Sequence, residues 1–140
     1  MLRKSIKILL LSTVLMVSAV INAEEKTNFT DPTKIIAVDE SKPVFKVVLQ
    51  ANPTTGYSWV LKGYDDSLLV PIGRKFYPAN SKRLVGAPGR EEWTFKVRPS
   101  GFVVPQITSV TLVYLRPWDE QGAQTLTFKV VTSGEMNKNK

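Results

Sequence analysis

Three stretches of this chain alternate apolar and polar residues one by one, and a period of two admits few folds. In VFKVVLQ (44–50), Phe45, Val47 and Leu49 share one face, while Lys46 and Gln50 take the other. WTFKV (93–97) turns Trp93, Phe95 and Val97 inward, and LTFKV (126–130) repeats the pattern. Successive side chains of a β-strand point to opposite faces, so each stretch reads as a strand with one buried and one solvated side. The run 108–115 is a further strong strand, and 34–38, 57–61 and 68–72 are weaker ones. Pro, Gly, Asn and Ser clusters separate them, and no segment carries a helical period, an internal repeat or low complexity. About seven short strands in roughly 100 residues predict an all-β chain, an immunoglobulin-like antiparallel β-sandwich. The chain contains no cysteine, so the sandwich has no disulfide between its sheets.

The ends are expected to lie outside that domain. Arg3, Lys4 and Lys7 precede an uncharged apolar run, 8–21, and Ala23 follows it. A basic start, an apolar middle and a small residue before the cut are the marks of a secretory signal peptide, here residues 1–23. The run is shorter than the ~20 residues a spanning helix needs, so cleavage is expected rather than an uncleaved anchor, with no membrane insertion afterwards. Residues 24–33 then form an N-terminal extension, 34–131 the sandwich, and 132–140 a flexible tail whose SGEMNKNK sequence frays into solvent. An exported protein without cysteine fits a bacterial periplasm or secretome, periplasmic or fully secreted. Its core alone has to stabilise it.

Charge and composition exclude several functions. The whole chain is +7, and removing the three leader cations leaves 16 − 12 = +4. The remaining basic residues are dispersed rather than gathered into a stripe, which argues against nucleic acid as a partner. There is no histidine or cysteine. The commonest nucleophile–base pairs and zinc ligand sets are therefore missing, and no metal or cofactor is expected. Two acidic pairs remain. Glu91-Glu92 leads into a strand, where neighbours face opposite ways and the carboxylates cannot converge. Asp65-Asp66 precedes Ser67 in a turn, where Asp commonly accepts backbone N–H groups. A carboxylate hydrolase would need two facing acids, and neither pair supplies them. The chain is read as a non-enzyme and a monomer.

Three connections carry more than a turn needs. In NPTTGYSW (52–59), Pro53 fixes φ, Gly56 can adopt positive φ, and Asn52 can bond its own backbone ahead of the turn. Between them Thr54 and Thr55 form a stiff, narrow tip, and stiffness lowers the entropy cost of binding. Tyr57 starts the next strand and Trp59 belongs to the core. The second connection, VGAPGR (85–90), offers the low backbone profile of Gly86, Ala87 and Gly89. In the third, YLRPWD (114–119), Pro117 stops a strand and leaves Trp118 outside the alternation beside Arg116. Trp and Arg are enriched among binding hot spots, although Trp118 could instead fold over the sandwich edge with Arg116 stacked upon it.

In this order, NPTTGYSW, GAPG…EEWTF and LVYLRPWD resemble the chagasin-type inhibitors of papain-like cysteine proteases. The family's loops read N-P-T-T-G-[YF], G-x-G-G and R-P-[WF], and the resemblance runs from about Lys34 to Val131. The first and third motifs match without a gap. In the second, Pro88 stands where the family has glycine, and the segment 101–106 (GFVVPQ) is longer than usual, suggesting an extended hairpin or bulge. The resemblance implies a sandwich with three loops at one end and reversible, non-covalent occlusion of a protease cleft. It carries Thr54 and Thr55 to the catalytic centre, with Asn52, Pro53, Gly56 and Tyr57 shaping their loop. It also implies that Gly86 and Gly89 lay a backbone edge along the cleft, and that Arg116, Pro117 and Trp118 grip the other flank. A different class would be an immunoglobulin-like envelope module that binds a glycan or protein with the same aromatic loops.

Overall fold

The computed structural model describes residues 27–80 and 86–134, and the expected leader (1–23) lies outside them. The described residues form eight strands: β1 (Asn28–Phe29), β2 (Ile36–Val38), β3 (Val44–Ala51), β4 (Ser58–Tyr64), β5 (Leu69–Tyr77), β6 (Gly89–Val97), β7 (Ile107–Arg116) and β8 (Asp119–Thr132). They build two four-stranded sheets, β1-β3-β6-β5 and β2-β8-β7-β4. The expected all-β, immunoglobulin-like sandwich is what forms. The count exceeds the expected seven because β1 is a two-residue strand within the 24–33 extension, too short to show an alternation. It runs parallel to β3, as β2 does to β8, and every other pairing is antiparallel.

The alternation places the core. Phe45, Val47 and Leu49 of β3 face Phe95 and Val97 of β6 along one inner surface. Ile36, Val110, Leu112, Phe128 and Val130 close it from the other sheet. The Phe45 and Phe95 rings stack with centroids 5.4 Å apart. Each such ring withdrawn from water contributes on the order of 2–3 kcal/mol, and the core holds without a cross-link.

The two acidic pairs are structural, and one does more than its sequence suggested. Glu91 and Glu92 do point to opposite faces. Glu92 turns outward to Lys46, 2.9 Å away. Glu91 turns inward and is only 4 % exposed. Its Oε1 accepts from Arg74 Nε at 2.6 Å and from the Trp93 indole N–H at 2.8 Å. Trp93 is therefore half-buried rather than a plain core residue, its ring covered by the Arg74 guanidinium at 5.0 Å. Asp65 accepts from the Ser67 backbone N–H at 2.9 Å, the expected turn chemistry.

Two expectations are corrected. The segment 101–106 is no extended hairpin. Pro99–Phe102 forms a 3-10 turn that drives Phe102 into the core, because Pro99 presets the turn and Phe102 has an apolar surface to bury. Thr132, expected in the flexible tail, is the buried end of β8. Its hydroxyl donates to the Gly101 carbonyl and accepts from the Gln106 N–H, fastening that turn to the sheet.

Candidate functional site

β3 and β6 pair out to Ala51 opposite Gly89, and β4 and β7 pair out to Ser58 opposite Leu115. The connection between β3 and β4, the entry to β6 and the β7–β8 hairpin therefore emerge at one end of the sandwich. The sequence-expected residues Asn52, Pro53, Thr54, Thr55, Gly56, Tyr57, Gly86, Arg116, Pro117 and Trp118 all gather there.

The central connection is a 3-10 turn, Pro53–Thr55, closed by Gly56 at φ 79°. Proline sits at the turn's first position, where its fixed φ suits it and no amide is needed. The Thr55 and Gly56 N–H groups donate to the Asn52 and Pro53 carbonyls, each at 3.1 Å. The Thr55 hydroxyl adds a second bond to the Asn52 carbonyl at 2.7 Å. Pro53, Thr54 and Thr55 are left exposed as a wedge.

Asn52 does not bond backbone ahead of itself, as the sequence suggested. Its Oδ1 accepts from the Thr54 hydroxyl at 2.5 Å, and its Nδ2 reaches across to the Gly86 carbonyl at 3.0 Å. The reason is register. Ala51 pairs with Gly89, so the loop entering β6 passes within reach of Asn52, and the longer-range bond satisfies a carbonyl that the turn leaves open. Gly86 has φ 85° and is exposed, so this loop presents backbone there. Gly89 differs from its expected role. It is buried in β6, and a Cβ on it would lie 2.3 Å from the Tyr77 carbonyl and 2.6 Å from the Phe76 ring. Its missing side chain is a packing requirement between β5 and β6, and it offers no surface. Ala87 is half-buried and Pro88 exposed.

The third loop is a hairpin whose turn is Pro117-Trp118, with Arg116 paired to Asp119. Arg116 does not stack on Trp118. Its Nε donates to the Thr55 carbonyl at 3.0 Å, and its guanidinium lies 4.5 Å from the Tyr57 ring centroid. Trp118 is 74 % exposed, and the edge of its indole lies over Gly56, where a Cβ would approach its Cη2 to 2.9 Å. Only glycine at position 56 serves both the positive φ and this contact.

Beneath the wedge runs an aromatic ladder that the sequence reading did not assign. Arg116 lies on Tyr57, Tyr57 stacks on Tyr114 at 5.2 Å, and Tyr114 meets buried Trp59 at 4.9 Å. The Tyr114 hydroxyl accepts the Asn52 N–H at 2.9 Å, and the Trp59 indole donates to the Gln50 carbonyl at 2.8 Å. Parity along β7 would have pointed to Tyr114: it shares the inward face with Val110 and Leu112 but stands at the loop end. Among the described residues no group of His, Cys, Asp or Glu could hold a metal ion. The site is a rigid, shaped surface made of backbone, hydroxyls and one exposed indole, with no general acid or base at the wedge.

Comparisons with known proteins accord with that geometry. Two solved structures share the fold at 23 % identity. The cysteine protease inhibitor EhICP2 of Entamoeba histolytica has a TM-score of 0.52, covering 70 % of this chain and 95 % of its own. The solution structure of amebosin has a TM-score of 0.57, covering 76 % and 96 %. No curated protein matches the sequence. The family model described as chagasin family peptidase inhibitor I42 matches residues 40–134, which take in the wedge, its flanking loops and the ladder beneath, and the chain belongs to that family of peptidase inhibitors.

Proposed function

We propose that the mature chain is an exported inhibitor of papain-like cysteine proteases, acting by reversible, tight occlusion of the active-site cleft with three loops. The observation that carries this reading is that the three loops are one body. Asn52 ties the wedge to the second loop through Gly86, and Arg116 ties it to the third through Thr55. A surface fixed before contact loses little conformational entropy on binding, which favours affinity. The wedge is a 3-10 turn rather than an extended strand. It presents no extended peptide across a scissile bond, so the protease is blocked rather than fed. Thr54 and Thr55 lead into the cleft, the Gly86 backbone and Pro88 flank one side, and Trp118 flanks the other. Arg116 acts from beneath by holding the wedge.

An envelope glycan-binding alternative would have to use the exposed Trp118 indole as its platform, because Tyr57 is engaged by both Arg116 and Tyr114, and the matched family is one of peptidase inhibitors. The test is titration of residues 24–140 against papain and a cathepsin L-like enzyme. Stoichiometric loss of peptide hydrolysis at nanomolar protein is expected, and hydrolysis untouched across several such proteases sinks the reading. A Thr54→Arg, Thr55→Glu double variant should lose inhibition while its unfolding midpoint stays within about 1 kcal/mol, since exposed tips seldom set stability.

A further inference from the structure

The β3-β6-β5 strands carry Lys46, Lys75 and Arg90 on their outer face and Arg74 on the inner one, and two of the outer cations differ from the rest. Lys46 meets Glu92, and Arg74, reaching inward, meets Glu91. Lys75 and Arg90 make no ion pair with a described carboxylate. They flank one ring instead, Lys75 Nζ 4.9 Å and Arg90 Cζ 5.0 Å from the Tyr77 centroid. Both are exposed. A ring holds a cation in place without neutralising it, so the pair projects fixed positive charge.

That charge sits beside the wedge. Arg90 pairs with Gln50, two residues before Asn52, and Lys75 pairs with Glu92, two residues further along. At about 3.3 Å per residue and about 4.8 Å per strand, Arg90 lies roughly 8 Å and Lys75 roughly 16 Å from the wedge's base. A typical interface of about 800 Å² per partner reaches about 16 Å from its centre. One carboxylate shares this face, Glu92, and it is taken by Lys46 at 2.9 Å. Asp39, Glu40, Asp65 and Asp66 occupy turns at the far end of the sandwich, and Asp119 starts β8 in the other sheet.

We propose that Lys75 and Arg90, held on Tyr77, form a docking shoulder for the acidic rim of the target's cleft. This rests on the protease-inhibitor reading above and deepens it. The target class is narrowed to papain-like proteases with carboxylates on the rim facing the β5–β6 edge, and the bound orientation follows from it. Fixed charge beside a docking surface raises the rate of productive encounter more than it slows escape.

The experiment measures association and dissociation rates of residues 24–140 with two papain-like proteases, one with an acidic and one with a basic cleft rim. With the acidic enzyme the wild-type on-rate should fall about tenfold from 20 to 500 mM salt. Lys75→Glu with Arg90→Glu should lower the low-salt on-rate at least tenfold, leaving the off-rate within about twofold. The control is Lys34→Glu with Lys129→Glu, in the bend before β2 and on β8, which changes net charge equally away from the β5–β6 edge and should leave the on-rate nearly unaltered. A salt-independent wild-type on-rate, or equal slowing by both double variants, overturns the shoulder while inhibition stands. Wild-type protein that inhibits neither enzyme overturns the protease reading itself.

Discussion

The Tyr114 hydroxyl accepts the backbone N–H of Asn52 at 2.9 Å, joining the last inward residue of β7 to the first residue of the wedge. The two are 62 positions apart in sequence, and the bond fixes the height at which the wedge leaves the sandwich. Tyr114 also carries the stacked Tyr57 ring. Tyr114→Phe keeps both ring contacts and removes only the acceptor. A neutral hydrogen bond is worth about 1 kcal/mol net, so inhibition should weaken about five- to tenfold. The melting temperature should shift by no more than about 4 °C. Unchanged inhibition would show that the stacked rings alone position the wedge.

Gly86 and Gly89 look alike in GAPG but should fail differently. Gly89→Ala puts a methyl against the Tyr77 carbonyl, which is backbone and cannot swing aside. The β5–β6 pair must open, and a loss of about 2–4 kcal/mol in urea unfolding is expected. Gly86→Ala meets no atom within 4 Å and pays only for positive φ, about 1 kcal/mol. Its larger effect should be on inhibition, through the carbonyl that Asn52 holds. Equal destabilisation by the two variants would contradict this division.

How far the sequence reached can be traced through particular residues. Phe45, Val47, Leu49, Phe95 and Phe128 were legible because period-two alternation encodes which face is buried, whatever the topology. Asn52, Gly56 and Pro53 were legible as turn formers because their backbone limits are local. What they bond to was not. The Asn52–Gly86 and Arg116–Thr55 bonds depend on which strands end side by side, and that is decided by pairing between residues far apart in sequence. The burial of Gly89 is hidden for the same reason, since a glycine required by packing and one required by surface read identically. The segment 101–106 hid its 3-10 turn because Phe102 is a single anchoring residue with no period.

The pH response follows from the carboxylates of two turns. Asp65 is held below its ordinary value by the Ser67 hydroxyl, with the Ser67 and Leu68 N–H groups adding to it. Asp39 is held down likewise by the Ser41 hydroxyl and by the Lys42 and Ser41 N–H groups. A lowered folded pKa means the unfolded chain takes up the proton first as pH falls. The stabilisation is present above the unfolded value of 3.8 and is lost as pH drops through the lower folded value. Lys46, raised above 10.5 by its bond to Glu92, gives the mirror case, stabilising below 10.5 and failing as pH rises through its folded value. With no histidine in the chain, urea midpoints should be flat from pH 5 to 8 and fall below about pH 4. Asp39→Ala with Asp65→Ala should soften the acid fall, and a midpoint that moves steeply near pH 6 would contradict the assignment.

Trp118 separates binding from folding most sharply. It is 74 % exposed, in a two-residue turn, with the edge of its indole over Gly56. Exposed apolar surface of that size lends little to stability, yet it is the large rigid anchor that interfaces use as a hot spot. Trp118→Ala should therefore cost roughly 2 kcal/mol of binding, about a thirtyfold rise in the inhibition constant. The urea midpoint should correspond to a change below about 0.5 kcal/mol. Gly56→Ala approaches the same contact from beneath. Its Cβ pushes the indole aside and strains the positive φ, so it should lose both affinity and some stability. If Trp118→Ala leaves inhibition intact while Gly56→Ala destroys it, the wedge carries the binding and the indole is only its cover.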